Sequence, residues 1–101
     1  MTTTTDTFQP AYGSGVTVAP TSSSASSTLG LGSQSVVVTN LSSTVVAYVR
    51  IGAGAQTATT ADYPVLPFTQ VSLSKGRTDD TVAYVTASAT GSLHIMSGKG
   101  I

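Results

Sequence analysis

Apolar and polar residues alternate along this chain in short runs, each closed by Gly, Pro, Asn or Ser, and no stretch places apolar residues at helical spacing. Alternation with a period of two puts one face of each run against a core and the other outward, so the runs read as β-strands. They are Val16–Val18, Ser35–Thr39, Thr44–Ile51, Thr69–Leu73, Thr81–Ala87 and Ser92–Met96, and β-branched Val and Thr dominate them as β-propensity requires. Thr21–Ser27 fits an edge strand or a loop. Six to eight short strands with turn signals between them predict an all-β domain, an antiparallel β-sandwich or jelly-roll-like barrel.

Residues 15–101 form this single domain, and residues 1–14 read as an extended N-terminal arm. The arm has no period of either kind, but it carries Phe8, Pro10 and Tyr12. Two aromatics in an otherwise polar stretch favour an arm that lies on a partner over a disordered tail.

Two hairpins are expected. One joins Ser35–Thr39 to Thr44–Ile51 across Asn40–Ser43, whose side chains can bond their own backbone. The other joins Thr81–Ala87 to Ser92–Met96 across Ser88–Gly91. In Thr44–Ile51, Val45, Ala47, Val49 and Ile51 share the core face, leaving Val46, Tyr48 and Arg50 on the other. Residues 52–67 read as a long connection of small residues, a length that in a compact domain marks a partner-contacting loop or a poorly formed strand. Lys75–Asp80 is the densest charge cluster in the chain and reads as an exposed turn.

Composition narrows the function. Only 8% of the 101 residues are charged, four Lys+Arg against four Asp+Glu. About a third are Ser or Thr, so polarity comes from hydroxyls. Phosphate neutralisation needs clustered basic residues, so no nucleic-acid partner is expected. With no Cys there is no disulfide or thiolate site. The longest apolar run, Val45–Val49, is far short of the roughly 20 residues of a membrane helix, and the N-terminus lacks the basic and apolar regions of a signal peptide. Neither a membrane nor Sec export is therefore expected.

Catalytic equipment is sparse. The single His94 lies mid-strand with no Gly-x-Ser-x-Gly elbow to serve. There is no Glu, and the four Asp do not read as a facing carboxylate pair. Gly52-x-Gly54 lacks the third glycine and the helix of a dinucleotide loop. No enzyme, cofactor or metal is expected. Low charge and a light core instead suit a chain whose neighbours cover part of it.

The order of features resembles a known family. It consists of a Ser/Thr-rich first segment, then Val36-Val37-Val38-Thr39-Asn40-Leu41, Val45 to Gly52 and Ala58-Thr59-Thr60-Ala61-Asp62-Tyr63-Pro64-Val65. It closes with Thr81 to Ala87, Gly91 to Ile95 and Gly98-Lys99-Gly100-Ile101. Over residues 15–101 this resembles small virion structural proteins of tailed bacteriophages, most of all capsid decoration (cement) proteins. The resemblance implies a homotrimer on the outer capsid surface, bound to the phage major capsid protein and assembled in the host cytoplasm. A neck, tail or head-fibre component is the alternative. A carbohydrate-binding module stacking sugars on Tyr48 and Tyr84 is a third. The interface residues expected are Phe8, Pro10 and Tyr12 in the arm, Tyr48 and Arg50 on the outward strand face, and Tyr63, Pro64, Leu66, Pro67 and Phe68 in the long loop, aromatics and Arg being the usual anchors.

Overall fold

The structure, a computed structural model, describes residues 9–10, 12–29, 34–76 and 78–99. All regular structure in these residues is β. In chain order the strands are β1 (Gln9–Pro10), β2 (Val16–Val18), β3 (Ala25–Thr28), β4 (Ser35–Asn40), β5 (Ala47–Gly52), β6 (Tyr63–Val65), β7 (Gln70–Ser74), β8 (Thr81–Thr86) and β9 (Leu93–Lys99). Two antiparallel sheets face each other. One runs β7-β4-β9, with β2 and β1 both on the far side of β9, and the other runs β6-β5-β8-β3.

This is jelly-roll order, and the register shows how it arises. Val16 pairs with Ile95, Ala25 with Tyr84, Ser35 with Ser74 and Ala47 with Val65, so paired numbers add to 111, 109, 109 and 112. A near-constant total means one long antiparallel hairpin, turning near residue 55, that has been rolled so successive segments fall in alternate sheets. Gly54, at φ +73, takes the left-handed turn at this tip.

The two expected hairpins do not form. β4 pairs with β7 and β9, while β5 pairs with β6 and β8, and β8 and β9 likewise lie in opposite sheets. Both connections are arches between sheets. Asn40 shows why at the first: it is 1% exposed, and its Nδ2 donates to the carbonyls of Val45 at 2.8 Å and Val65 at 2.9 Å. Its Oδ1 accepts from the Ser42 amide at 2.9 Å. A residue expected to close a hairpin turn therefore bonds across the gap between sheets instead.

The core lies between the sheets. Val36 and Val38 of β4 and Leu93 and Ile95 of β9 meet Ala47 and Val49 of β5, Val65 of β6, and Val82 and Tyr84 of β8. Each large side chain buried here contributes about 1.5–3 kcal/mol. Of the four residues expected inward, Ala47, Val49 and Ile51 face this core, whereas Val45 precedes β5 and lines an open cleft instead. Tyr84 is the one core aromatic, and its hydroxyl shares a 2.9 Å bond with Ser27 Oγ on β3. The Ser-rich segment thus supplies an edge strand with a polar partner for a buried phenol.

β1 and β2 are one edge interrupted by an excursion. Pro10 pairs with Gly98 and Val16 with Ile95, so five residues on the edge span two on β9. Gly15 closes the excursion where a Cβ would lie 2.8 Å from His94 Nε2. Part of the expected arm, Gln9–Pro10, is therefore paired to β9 of its own chain; Phe8 lies outside the described residues.

Replacing Asn40 with Ala removes three hydrogen bonds and strands one buried and one half-buried carbonyl. Urea or thermal denaturation of Asn40→Ala is expected to show a loss of about 3 kcal/mol and a melting point roughly 10–20 °C lower.

Candidate interaction surface

Because nearly every connection crosses between the sheets, the loops sort to alternate ends of the roll. Residues 19–24, 41–46, 66–69 and 87–92 gather at one end. Backbone bonds hold them there: Phe68 N to Ser42 O at 3.0 Å, Leu41 N to Ser92 O at 2.9 Å, Thr86 N to Thr21 O and Gly91 N to Pro20 O, both at 2.8 Å. None of these four loops contains Asp, Glu, Lys or Arg. This end instead exposes Leu41 at 46%, Leu66 at 57% and Phe68 at 76%. Around its rim, Thr44, Val45, Val46, Tyr48, Ala87, Ser88 and Ala89 line an open cleft of about 290 Å³ with no charged wall.

Phe68 stands out within this end. Its φ is +52, the one positive φ of a non-glycine residue among those described. That region costs an L-residue roughly 1–2 kcal/mol, and an exposed ring recovers little of it by packing. The turn is held on both sides, by the Phe68 amide on Ser42 and by Asn40 N bonding Thr69 O at 2.8 Å.

The opposite end carries charge. Lys75 is only 7% exposed, and its ammonium donates to the carbonyls of Asp79 at 2.8 Å and Gly76 at 3.2 Å. This corrects the expectation of a solvated turn at Lys75, while Gly76 and Thr78 are exposed as expected. Asp79 Oδ2 accepts the Gly76 amide at 2.8 Å. Asp80 Oδ1 accepts the Gly54 amide and the Thr81 hydroxyl, each at 3.0 Å, tying the hairpin tip to the β7–β8 loop. These bonds, the Gly54 amide foremost and the Thr81 hydroxyl next, hold the Asp80 carboxyl below its ordinary value of 3.8 against a smaller opposing effect of burial.

Residues 53–62 fold over the outer face of the β5–β8 sheet. Ala58 there packs with Ala83 and Val85 of β8 and with Tyr48 of β5 in a second small core, and its amide donates to Ser24 Oγ at 2.8 Å. Arg50 fastens this flap: its Nε lies 3.2 Å from Asp62 Oδ1, and its Nη1 donates to Thr57 O at 3.4 Å. Asp62 in turn accepts the Thr59 amide at 2.7 Å.

The expected interface residues therefore separate into groups. Leu66, Pro67 and Phe68 form the arch at the uncharged end, reached from Tyr63 and Pro64 on edge strand β6, where Tyr63 is 49% exposed. Tyr48 and Arg50 are engaged by their own flap. Tyr12 is 88% exposed on the edge excursion, and Pro10 lies in β1. Tyr48 and Tyr84 do not share a face, since Tyr48 pairs with Val85 and Tyr84 with Val49. Sequence reasoning passed over Leu41, Val45 and Val46 as interface residues because the first sat in an assumed hairpin turn. The available signal was the charge-free character of alternate loops.

Among the described residues no group of three or more His, Cys, Asp or Glu gathers as metal ligands. His94 is half-buried on the outer face of its sheet, paired with Thr17 and Thr39. No family model, curated protein or solved structure matches the chain.

Folding lowers the affinity of Asp80 for its proton. Its contribution to stability is therefore complete above the ordinary carboxylate range and is lost as pH falls through the lowered value. Thermal melts from roughly pH 5 down to 2 are expected to show a shallower acid decline for Asp80→Asn than for the native chain. Equal slopes would remove Asp80 from the acid response.

Proposed function

We propose that the protein is a non-catalytic virion structural component, a capsid decoration protein that binds the major capsid protein on the outer face of a phage head through the uncharged end of its jelly roll. The observation that carries the reading is Phe68. An aromatic ring held at positive φ and left 76% exposed buries little of itself in its own domain, and a local conformational cost with so small an internal return points to a task outside the fold. Leu41 and Leu66 provide the apolar surround in which an aromatic anchor binds, with water excluded around it. The absence of charge in the four loops suits an apolar partner surface, where an unpaired charge would be costly to desolvate.

Decoration works by addition of contact area. A subunit seated across shell subunits contributes apolar burial that internal pressure must undo before the shell opens. The jelly roll is used by viral capsid and lectin domains alike. The sugar-stacking alternative, however, relied on one face carrying Tyr48 and Tyr84, and these face opposite sides of their sheet.

Two measurements test the reading. Quantitative mass spectrometry of purified virions is expected to find the chain stoichiometric with the major capsid protein, whereas a ring-sized copy number would place it in the neck, tail or fibres. Phe68→Gly is expected to raise thermal stability by about 1 kcal/mol through relief of the turn while abolishing attachment to bare heads. Undiminished attachment of that variant would overturn the role of this end.

A further inference from the structure

A rolled sheet has four edges, and this chain protects them unequally. Unpaired edge strands invite other strands, and proteins blunt them with proline, charge, bulges or brevity. The β1/β2 edge is broken by the excursion and carries Pro10. β6 has three residues and Pro64 at its centre. β3 has four residues, of which only Ala25 is apolar. β7, Gln70-Val71-Ser72-Leu73-Ser74, is the longest of the four and has no proline, charge or bulge.

Its hydrogen-bond parity is determined by its neighbour. Asn40 N bonds Thr69 O at 2.8 Å and Lys75 N bonds Gln34 O at 2.9 Å, so residues 69, 71, 73 and 75 turn their backbone groups toward β4. The alternation of an antiparallel ladder then points the N–H and C=O of Gln70, Ser72 and Ser74 away from the sheet. Val71 and Leu73 face inward, where they are only partly buried at the margin of the core. The side chains of Gln70, Ser72 and Ser74 are exposed on the outer face.

We propose that the β7 edge is a homodimer interface, in which β7 of a second copy pairs antiparallel across a two-fold axis at Ser72. The strand is self-complementary in this register alone among its neighbours of the same parity. Ser72 meets Ser72, Gln70 meets Ser74, and Val71 meets Leu73, so apolar residues face apolar residues in both directions. All outward backbone groups of the three residues find partners, because the two-fold falls on the middle one of the three. The pairing extends the partly covered Val71 and Leu73 into a continuous core margin and joins two sheets, each four strand positions wide, into one of eight. An isologous contact of this kind closes on itself and does not propagate into fibres. The proposal rests on the edge geometry and is independent of the virion reading; it favours an even-numbered assembly over the trimer that the family resemblance implies.

Analytical ultracentrifugation and native mass spectrometry of the full chain over micromolar to millimolar concentration are the test. A monomer–dimer equilibrium is expected. Ser72→Pro removes an N–H that β4 does not use, so the fold is retained while each dimer loses two of its ladder bonds, weakening association by about tenfold or more. Ser72→Lys provides a second variant with the backbone intact, placing like charges opposite each other at the axis, and is also expected to weaken the dimer. In the native chain, the amides of Gln70, Ser72 and Ser74 are expected to gain exchange protection as concentration rises. A monomer at every concentration, a trimer, or a dimer insensitive to both substitutions with those amides unprotected would overturn the proposal.

Discussion

A single buried carboxamide holds the corner of this jelly roll. Asn40 ends β4 in one sheet and bonds two carbonyls that belong to the other, one just before β5 and one at the end of β6. The apolar cluster packs the two sheets together, and Asn40 adds a polar tie across the same gap. A fully bonded amide in a dry site is worth more than one in water, and an unbonded one costs correspondingly more. That asymmetry determines where the chain turns from one sheet to the next. Once β4 is fixed against β5 and β6, the 41–46 and 66–69 arches are adjacent, and Leu41 and Phe68 share an end.

Rolling one long hairpin has a further consequence for charge. Connections alternate between the two ends, so a chain with uncharged loops at every second connection acquires an uncharged end. The few charged groups then have local work. Lys75 closes its own loop, Asp80 holds the hairpin tip, and Arg50 with Asp62 pins the flap over the second small core. Among the described residues, the charged groups named are thus engaged within the fold, and the uncharged end presents apolar and hydroxyl groups alone.

Much of the strand pattern was legible. Val16–Val18, the Ser35 strand, the Thr69 strand and the Thr81 strand fall within a residue or two of their expected limits, because alternation of β-branched and polar residues reports burial directly. Pro64 concealed β6: proline is excluded from central strands, yet β6 is an edge where no second ladder is required. Lys75 reads as solvated from the sequence, because its partners are backbone carbonyls arranged by the turn, which residue types do not reveal. Tyr48 looked outward-facing, as it is, but the flap that covers it comes from ten residues further along the chain. Among the expected contact residues, the Leu66–Phe68 arch is joined to the loop that carries Leu41, and Tyr48 packs with Ala58 of the flap.

Hairpin and arch use the same turn residues, and this is where sequence reading ended. Asn40-Leu41-Ser42-Ser43 and Ser88-Ala89-Thr90-Gly91 satisfy local rules for either, since those rules concern backbone conformation over a few residues. The choice depends on whether an inward valine meets its neighbour beside it in the same sheet or across the core, a comparison between contacts far apart in sequence. By itself, then, the sequence determined which residues form strands, which faces turn inward and how little charge the surface carries, all properties with a range of a few residues. Strand partners, the sorting of loops into a charged and an uncharged end, and the exposure of the β7 edge were decided by tertiary structure, because each depends on which distant segments share the core.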